Sequence, residues 1–164
     1  MSDSAARTKA EAPAYTISLH IKHPTMDPEA ITRELGLTPD HAWACGEPKR
    51  SASSASAGVR RNSFWCATLA PPDLADERFS AATRESAKFQ RALEMVSTDL
   101  GSYLNGQLLR LRRHQAFIQA LLDEGAELSF VVEVPNADLA GFKLDPSVTR
   151  QLGALGATLE FQFG

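Results

Sequence analysis

Met26-Asp-Pro-Glu-Ala-Ile-Thr-Arg-Glu-Leu-Gly36 reads as a short helix with both ends specified. The Asp27 carboxylate can accept from the open N–H groups of the first turn. Pro28 suits the first helical position, and Glu29 stands at the positive end of the helix dipole. Met26 and Ile31 occupy the two positions of a hydrophobic staple, and Gly36 can take the left-handed turn that stops the helix. Leu144-Asp-Pro-Ser-Val-Thr-Arg-Gln-Leu-Gly153 echoes this stretch near the other end. Thr32 to Gly36 and Thr149 to Gly153 align at one constant offset, from which the two Asp-Pro pairs differ by a single residue. The echo predicts two strand-and-helix units framing one domain. It is a pattern of architecture rather than of chemistry.

Before this helix, Tyr15, Ile17, Leu19 and Ile21 alternate with Thr16, Ser18, His20 and Lys22, which predicts a half-buried strand ended by Pro24. The period of two puts His20 on its outer face. Beyond the helix, Leu37 to Pro48 is expected to be an ordered loop over the sheet edge. Residues 49–61 are Ser/Ala-rich with basic ends and are expected to be mobile. Ser63 to Leu69 predicts a second strand with Trp65, Ala67 and Leu69 facing in, closed by Pro71-Pro72. Phe89, Leu93, Val96, Leu100 and Tyr103 recur at helical spacing, and Asn105-Gly106 is expected to break the run. A further helix from about Arg112 carries Phe117, Ile118, Leu121 and Leu122 and ends at Gly125. Leu128, Phe130, Val132 and Val134 mark a third strand, Phe142 to Leu144 a short edge strand, and Ala157 to Phe163 the last strand.

This order gives an α+β class: a single mixed or antiparallel sheet of about four to five strands, with helices packed mainly on one face. The expected topology is ferredoxin-like with the central helical pair as an insertion. The chain has 164 residues, 43% hydrophobic and 23% charged, which suits one globular domain over residues 14–164 after a disordered tail at 1–13. A net charge of -3 and a pI near 5.8 disfavour nucleic acid as the bulk partner. No apolar run approaches the roughly 20 residues that cross a bilayer, and the first residues lack a secretion-signal core, so a cytoplasmic protein with no membrane partner is expected. In that compartment Cys45 and Cys66 are expected as ordinary thiols rather than a disulfide.

The run Tyr15-Thr-Ile-Ser-Leu-His-Ile, Asp27-Pro28, Ile31, Leu35-Gly-Leu-Thr-Pro39 and Gly46-Glu-Pro48 resembles the bacterial family called domain of unknown function 4279. Trp65 near the opening of a strand, the helical middle, and Leu152-Gly-Ala-Leu-Gly-Ala-Thr-Leu-Glu-Phe161 follow its pattern too. The resemblance spans about Tyr15 to Phe163. This chain departs from it at Asp40, where relatives tend to carry threonine, and at Phe163, where they tend to carry a hydroxylated aromatic. The resemblance implies a small soluble protein and supplies no activity.

Chemistry-bearing groups are sparse. His20, His23, His41 and Cys45 could be assembled into a zinc site on paper. Structural sites, however, use close ligand pairs, and His20-x-x-His23 straddles a strand end where the side chains point apart. No serine stands in a nucleophile elbow, no glycine-rich phosphate cradle is present, and Cys45 with His41 is the nearest approach to an activated thiol. The expectation is therefore no catalytic residue, no metal and no cofactor. Basic residues cluster at Lys49, Arg50, Arg60 and Arg61 and at Arg110, Arg112 and Arg113; sharing one face, they could hold a phosphate or an acidic surface.

Trp43 sits in a segment with no periodicity to bury it, which makes it a candidate binding anchor. The expected contact surface is Asp40, Trp43, Gly46, Glu47, Arg60 and Arg61. The leading expectation is a non-enzymatic module that binds a protein partner, with a toxin-immunity protein as its concrete form by analogy of size, acidity and missing catalytic groups. The alternatives are a ligand-binding or enzymatic domain with a pocket between the 38–48 loop and the sheet, and a phosphate- or RNA-binding module.

Overall fold

The computed structural model describes residues 16–49, 58–69, 100–134 and 144–163. The tail, most of the Ser/Ala segment, Arg50, Phe89, Leu93, Val96 and the strand expected to start at Phe142 lie outside the described residues. One five-stranded mixed sheet, in the order β2-β3-β1-β4-β5, carries helices on one face. Its strands are β1 (Thr16–His23), β2 (His41–Trp43), β3 (Ser63–Thr68), β4 (Glu127–Val134) and β5 (Ala157–Phe163). The helices are α1 (Pro28–Leu35), α2 (Leu100–Leu111), α3 (Gln115–Asp123) and α4 (Pro146–Leu155). β1 pairs antiparallel with both β3 and β4, β2 antiparallel with β3, and β4 parallel with β5.

The first four strands with α1 and the α2–α3 pair form the ferredoxin-like split β-α-β arrangement. The helical pair fills its second crossover, and α4 with β5 extends the sheet beyond β4. The two ends of the chain do share one sheet: α1 follows β1, α4 leads into β5, and β1 lies next to β4.

Strand alternation builds the core. Ile17, Leu19, Ile21, Trp65, Ala67, Leu69, Leu128, Phe130, Val132 and Val134 face the helices and are buried. They meet Ile31, Leu35, Leu104, Leu108, Ile118, Leu121, Val148, Leu152 and Leu155 in a single cluster. Each large aliphatic side chain buried this completely stabilises the fold by about 1.5–3 kcal/mol. Among them Trp65 also ties α1 down, because its indole N–H donates to Thr32 Oγ1 at 3.0 Å.

The helix caps follow the reading of the sequence at the N-termini. Asp27 accepts from the Glu29 N–H at 3.0 Å and Asp145 from the Ser147 N–H at 2.7 Å, each ahead of a proline in the first turn. At the C-termini the two helices differ. α1 stops at Gly36 with φ 63, but α4 runs through Gly153 and stops at Gly156 with φ 70. Leu155 thus keeps a helical place and reaches the core.

Two other expectations are corrected. Asn105-Gly106 does not break α2, because the buried Leu104, Gln107, Leu108 and Leu111 anchor both flanks. A lone helical glycine costs only about 1 kcal/mol, less than that packing supplies. The break falls instead at a 3-10 turn over Arg112–His114. The segment after Gly36 is not all loop either, since His41–Trp43 pairs with Phe64–Cys66 as an edge strand.

Candidate functional site

No described helix packs on the second face of the sheet, and the register of β2, β3 and β1 lines up aromatic and polar groups there. Trp43 lies opposite Phe64, and their rings stack with centroids 4.5 Å apart and planes 24° apart. The Arg60 guanidinium carbon sits 3.8 Å from the centre of the Trp43 ring. Phe64 meets the His20 ring edge-on at 5.4 Å and 83°, and His20 Nε2 is 3.0 Å from Ser18 Oγ. The result is a continuous row: Arg60, Trp43, Phe64, His20, Ser18.

The hairpin between β2 and β3 explains why Arg60 lands on the indole. The Gly46 N–H donates to the Arg60 carbonyl at 2.9 Å and the Arg60 N–H to the Glu47 carbonyl at 2.8 Å. A Pro48–Val59 bridge and the Lys49 N–H on the Gly58 carbonyl at 3.0 Å prolong the pairing. Gly46 turns the chain with φ 85, a conformation that glycine adopts without a steric penalty. Glu47 closes the same turn by accepting from the Ala44 N–H at 3.0 Å, and the Cys45 N–H donates to the buried Ser63 hydroxyl at 2.9 Å.

Of the six residues expected at the contact surface, the structure brings Trp43 and Arg60 together. Asp40, Gly46 and Glu47 are spent on the local backbone; Asp40 takes the Thr68 N–H and gives its own to the Cys66 carbonyl. Arg61 offers its carbonyl to the Cys45 thiol at 3.3 Å, and the residue is exposed. Phe64 and His20 were missed as site residues. The alternation that turned Trp65 inward already turned Phe64 outward, so that signal was present.

The row is electrostatically graded. Arg60 supplies positive charge at the β2–β3 end. At the other end Glu160 and Glu133 favour the His20 imidazolium, but partial burial outweighs them and holds its pKa below the ordinary imidazole value. Burial likewise pushes the Cys66 thiol up, with Asp40 adding to the rise and a hydrogen bond with the His41 backbone opposing it.

The other polar groups do not converge. His23 is buried on the helix side, where its Nδ1 accepts from the Thr25 and Met26 N–H groups at 3.0 and 2.9 Å. It therefore shapes the turn into α1 while His20 faces the opposite way. Cys45 and Cys66 are both free thiols, the first exposed and the second buried. Among the described residues no group of three His, Cys, Asp or Glu side chains forms a metal cluster. The two basic clusters do not share a face: Arg60 lies on the aromatic side of the sheet, and Arg112 lines a cleft among the helices. No described helix is long and apolar enough to cross a membrane.

The sequence profile of a family described as Domain of unknown function (DUF4279) matches residues 13–163, almost the whole chain. The chain belongs to that family. No curated protein and no solved structure matches it. The Arg60–Trp43–Phe64–His20 row is the set of contacting aromatic and cationic side chains that this DUF4279 chain presents on that face of the sheet.

Proposed function

We propose that this DUF4279 chain is a non-enzymatic protein-binding module whose contact face is the sheet surface around Trp43. The observation that carries the reading is the stacking of Trp43 on Phe64 under the Arg60 guanidinium. Tryptophan and arginine are the side chains that most often dominate protein interfaces. Here they are held before any partner arrives. The stack contributes about 0.5–1.5 kcal/mol and the cation–π contact about 0.5–1 kcal/mol. An anchor ordered in advance also spares the partner complex roughly 0.5–1.5 kcal/mol of entropy for each side chain it need not immobilise.

The same geometry weighs against a base-stacking, nucleic-acid role. Arg60 and Phe64 already lie against the indole, and the carboxylates of Glu133 and Glu160 beside His20 would repel a phosphate backbone. A toxin-neutralising protein is the concrete form of this reading, and it predicts a toxin gene beside the one encoding this chain.

Affinity capture from cells of the source organism tests the proposal. The wild-type chain is expected to retain a protein that the Trp43→Ala and Arg60→Ala baits both lose. Because Trp65 is fully buried, protection of tryptophan fluorescence from iodide by the purified partner would report on Trp43. Identical captures by all three baits, or turnover of a small molecule by the purified chain, would overturn the reading.

A further inference from the structure

A cleft of about 470 Å³ lies between α2 and α4, within the size range of small-ligand pockets. Its apolar lining is Leu108, Ala154 and Leu155; Leu108 and Leu155 are buried and form the floor. Arg112 and Gln115 stand on one side, Ser147 and Arg150 on the other. The spacing places them there: Leu108, Arg112 and Gln115 are four and three residues apart along the α2–α3 pair. Ser147, Arg150, Gln151 and Ala154 follow the i, i+3, i+4, i+7 stripe of α4. Gln151 forms wall rather than ligand contact, since its Nε2 donates to Asn105 Oδ1 at 2.8 Å and its Oε1 is sealed from solvent.

The two arginines are not equivalent. Arg150 donates through Nε to the Pro146 carbonyl at 3.3 Å, which occupies one of its donors. The exposed Arg112 side chain has no hydrogen-bond or carboxylate partner among the described residues, and it lines the same cleft. The end of α4 is not the attraction, because the Asp145 carboxylate already takes the Ser147 N–H. We infer that this cleft binds a small organic anion: a carboxylate or phosphoryl head held by Arg112 and Arg150, with a compact apolar body on Leu108, Ala154 and Leu155. Guanidinium groups pair with both heads through two parallel hydrogen bonds, which is the chemistry the two share.

Calorimetric titration of the full chain with phenylacetate and with phenyl phosphate tests the inference, with inorganic phosphate and benzyl alcohol as head-only and body-only probes. At least one of the two aromatic anions is expected to bind saturably, and whichever binds more tightly identifies the head. Its affinity should exceed that of either partial probe by at least about tenfold. Arg112→Gln should lose at least about tenfold of that affinity, and Arg150→Gln less, because the Pro146 carbonyl already holds one donor of the second guanidinium. Arg112→Lys should not restore it, since an ammonium lacks the planar fork. Arg33→Gln, on α1, should bind as wild type. Absence of binding by both aromatic anions up to about 10 mM would overturn the inference. So would equal affinity in wild type and Arg112→Gln, or equal affinity for phenyl phosphate and inorganic phosphate where phenyl phosphate is the anion that binds.

Discussion

Replacing Thr32 by valine probes the joint that holds α1 on the sheet. Trp65 is fully buried, and its indole N–H donates to Thr32 Oγ1 at 3.0 Å. The Thr32 hydroxyl in turn donates to the Pro28 carbonyl at 3.2 Å. Valine keeps the branched shape and removes both bonds. Water cannot reach the indole nitrogen, so that donor is orphaned, at a cost of about 1–3 kcal/mol. The lost bond to Pro28 offsets little, because hydroxyl back-bonding inside a helix is close to neutral. In a chain of 164 residues each kcal/mol moves the midpoint by about 2–4 °C, so Tm should fall by roughly 2–12 °C.

Urea denaturation followed by far-UV circular dichroism gives the free energy, and Thr32→Ser, which keeps the hydroxyl, should recover most of it. A double-mutant cycle isolates the bond. In a Trp65→Phe background no indole N–H remains, so the valine should cost close to nothing there, with a coupling of about 1 kcal/mol or more. Equal cost of Thr32→Val in both backgrounds would show that the indole–hydroxyl bond does not hold the helix, as would a variant as stable as wild type.

The two helix-stopping glycines should respond unequally to alanine. At Gly36 the left-handed φ of 63 faces open space, so Gly36→Ala should cost about 1–2 kcal/mol in urea denaturation. At Gly156 the same conformation is joined by a Cβ that would lie 2.9 Å from Leu122 Cδ1, so Gly156→Ala should cost about 1 kcal/mol more. The reverse order would show that the Leu122 contact is irrelevant. His20 should make stability fall on acidification. Its folded pKa lies below the ordinary 6.5, so the unfolded chain binds the proton first. The stability it contributes is therefore complete above that value and lost as pH falls through the window beneath it. Tm measured against pH should flatten in that window for His20→Gln, and Glu160→Gln should lower the His20 pKa further in an NMR titration. An unchanged pH profile in His20→Gln would remove His20 from the account.

Local rules carried the sequence reading a long way. Period-two alternation identified which side chains of β1, β3 and β4 face the core, and the Asp-Pro pairs marked two helix starts. Those signals live within a few residues of one another, and a strand pleat or an N-cap is decided at that range. The failures came where range mattered. Gly153 has the neighbours of Gly36 without its stop, because the helix continues until Leu155 has reached the core. Asn105-Gly106 looked like a break, yet packing on both sides exceeds the cost of one glycine.

The candidate site shows the same division. The outward side of Phe64 is a property of a single segment and was legible, whereas Trp43 is half-buried by neighbours that its own segment does not reveal. That Arg60 covers Trp43 while His20 meets Phe64 required β3 to lie between β2 and β1, with the hairpin paired from Gly46 to Gly58. The Arg112–Arg150 cleft likewise joins helices almost 40 residues apart in sequence. Sequence alone determined the elements and their inward faces, because pleat, helical period and capping act between near neighbours. Tertiary structure alone decided which outward faces meet, because strand order and helix docking are set by burial of the whole core.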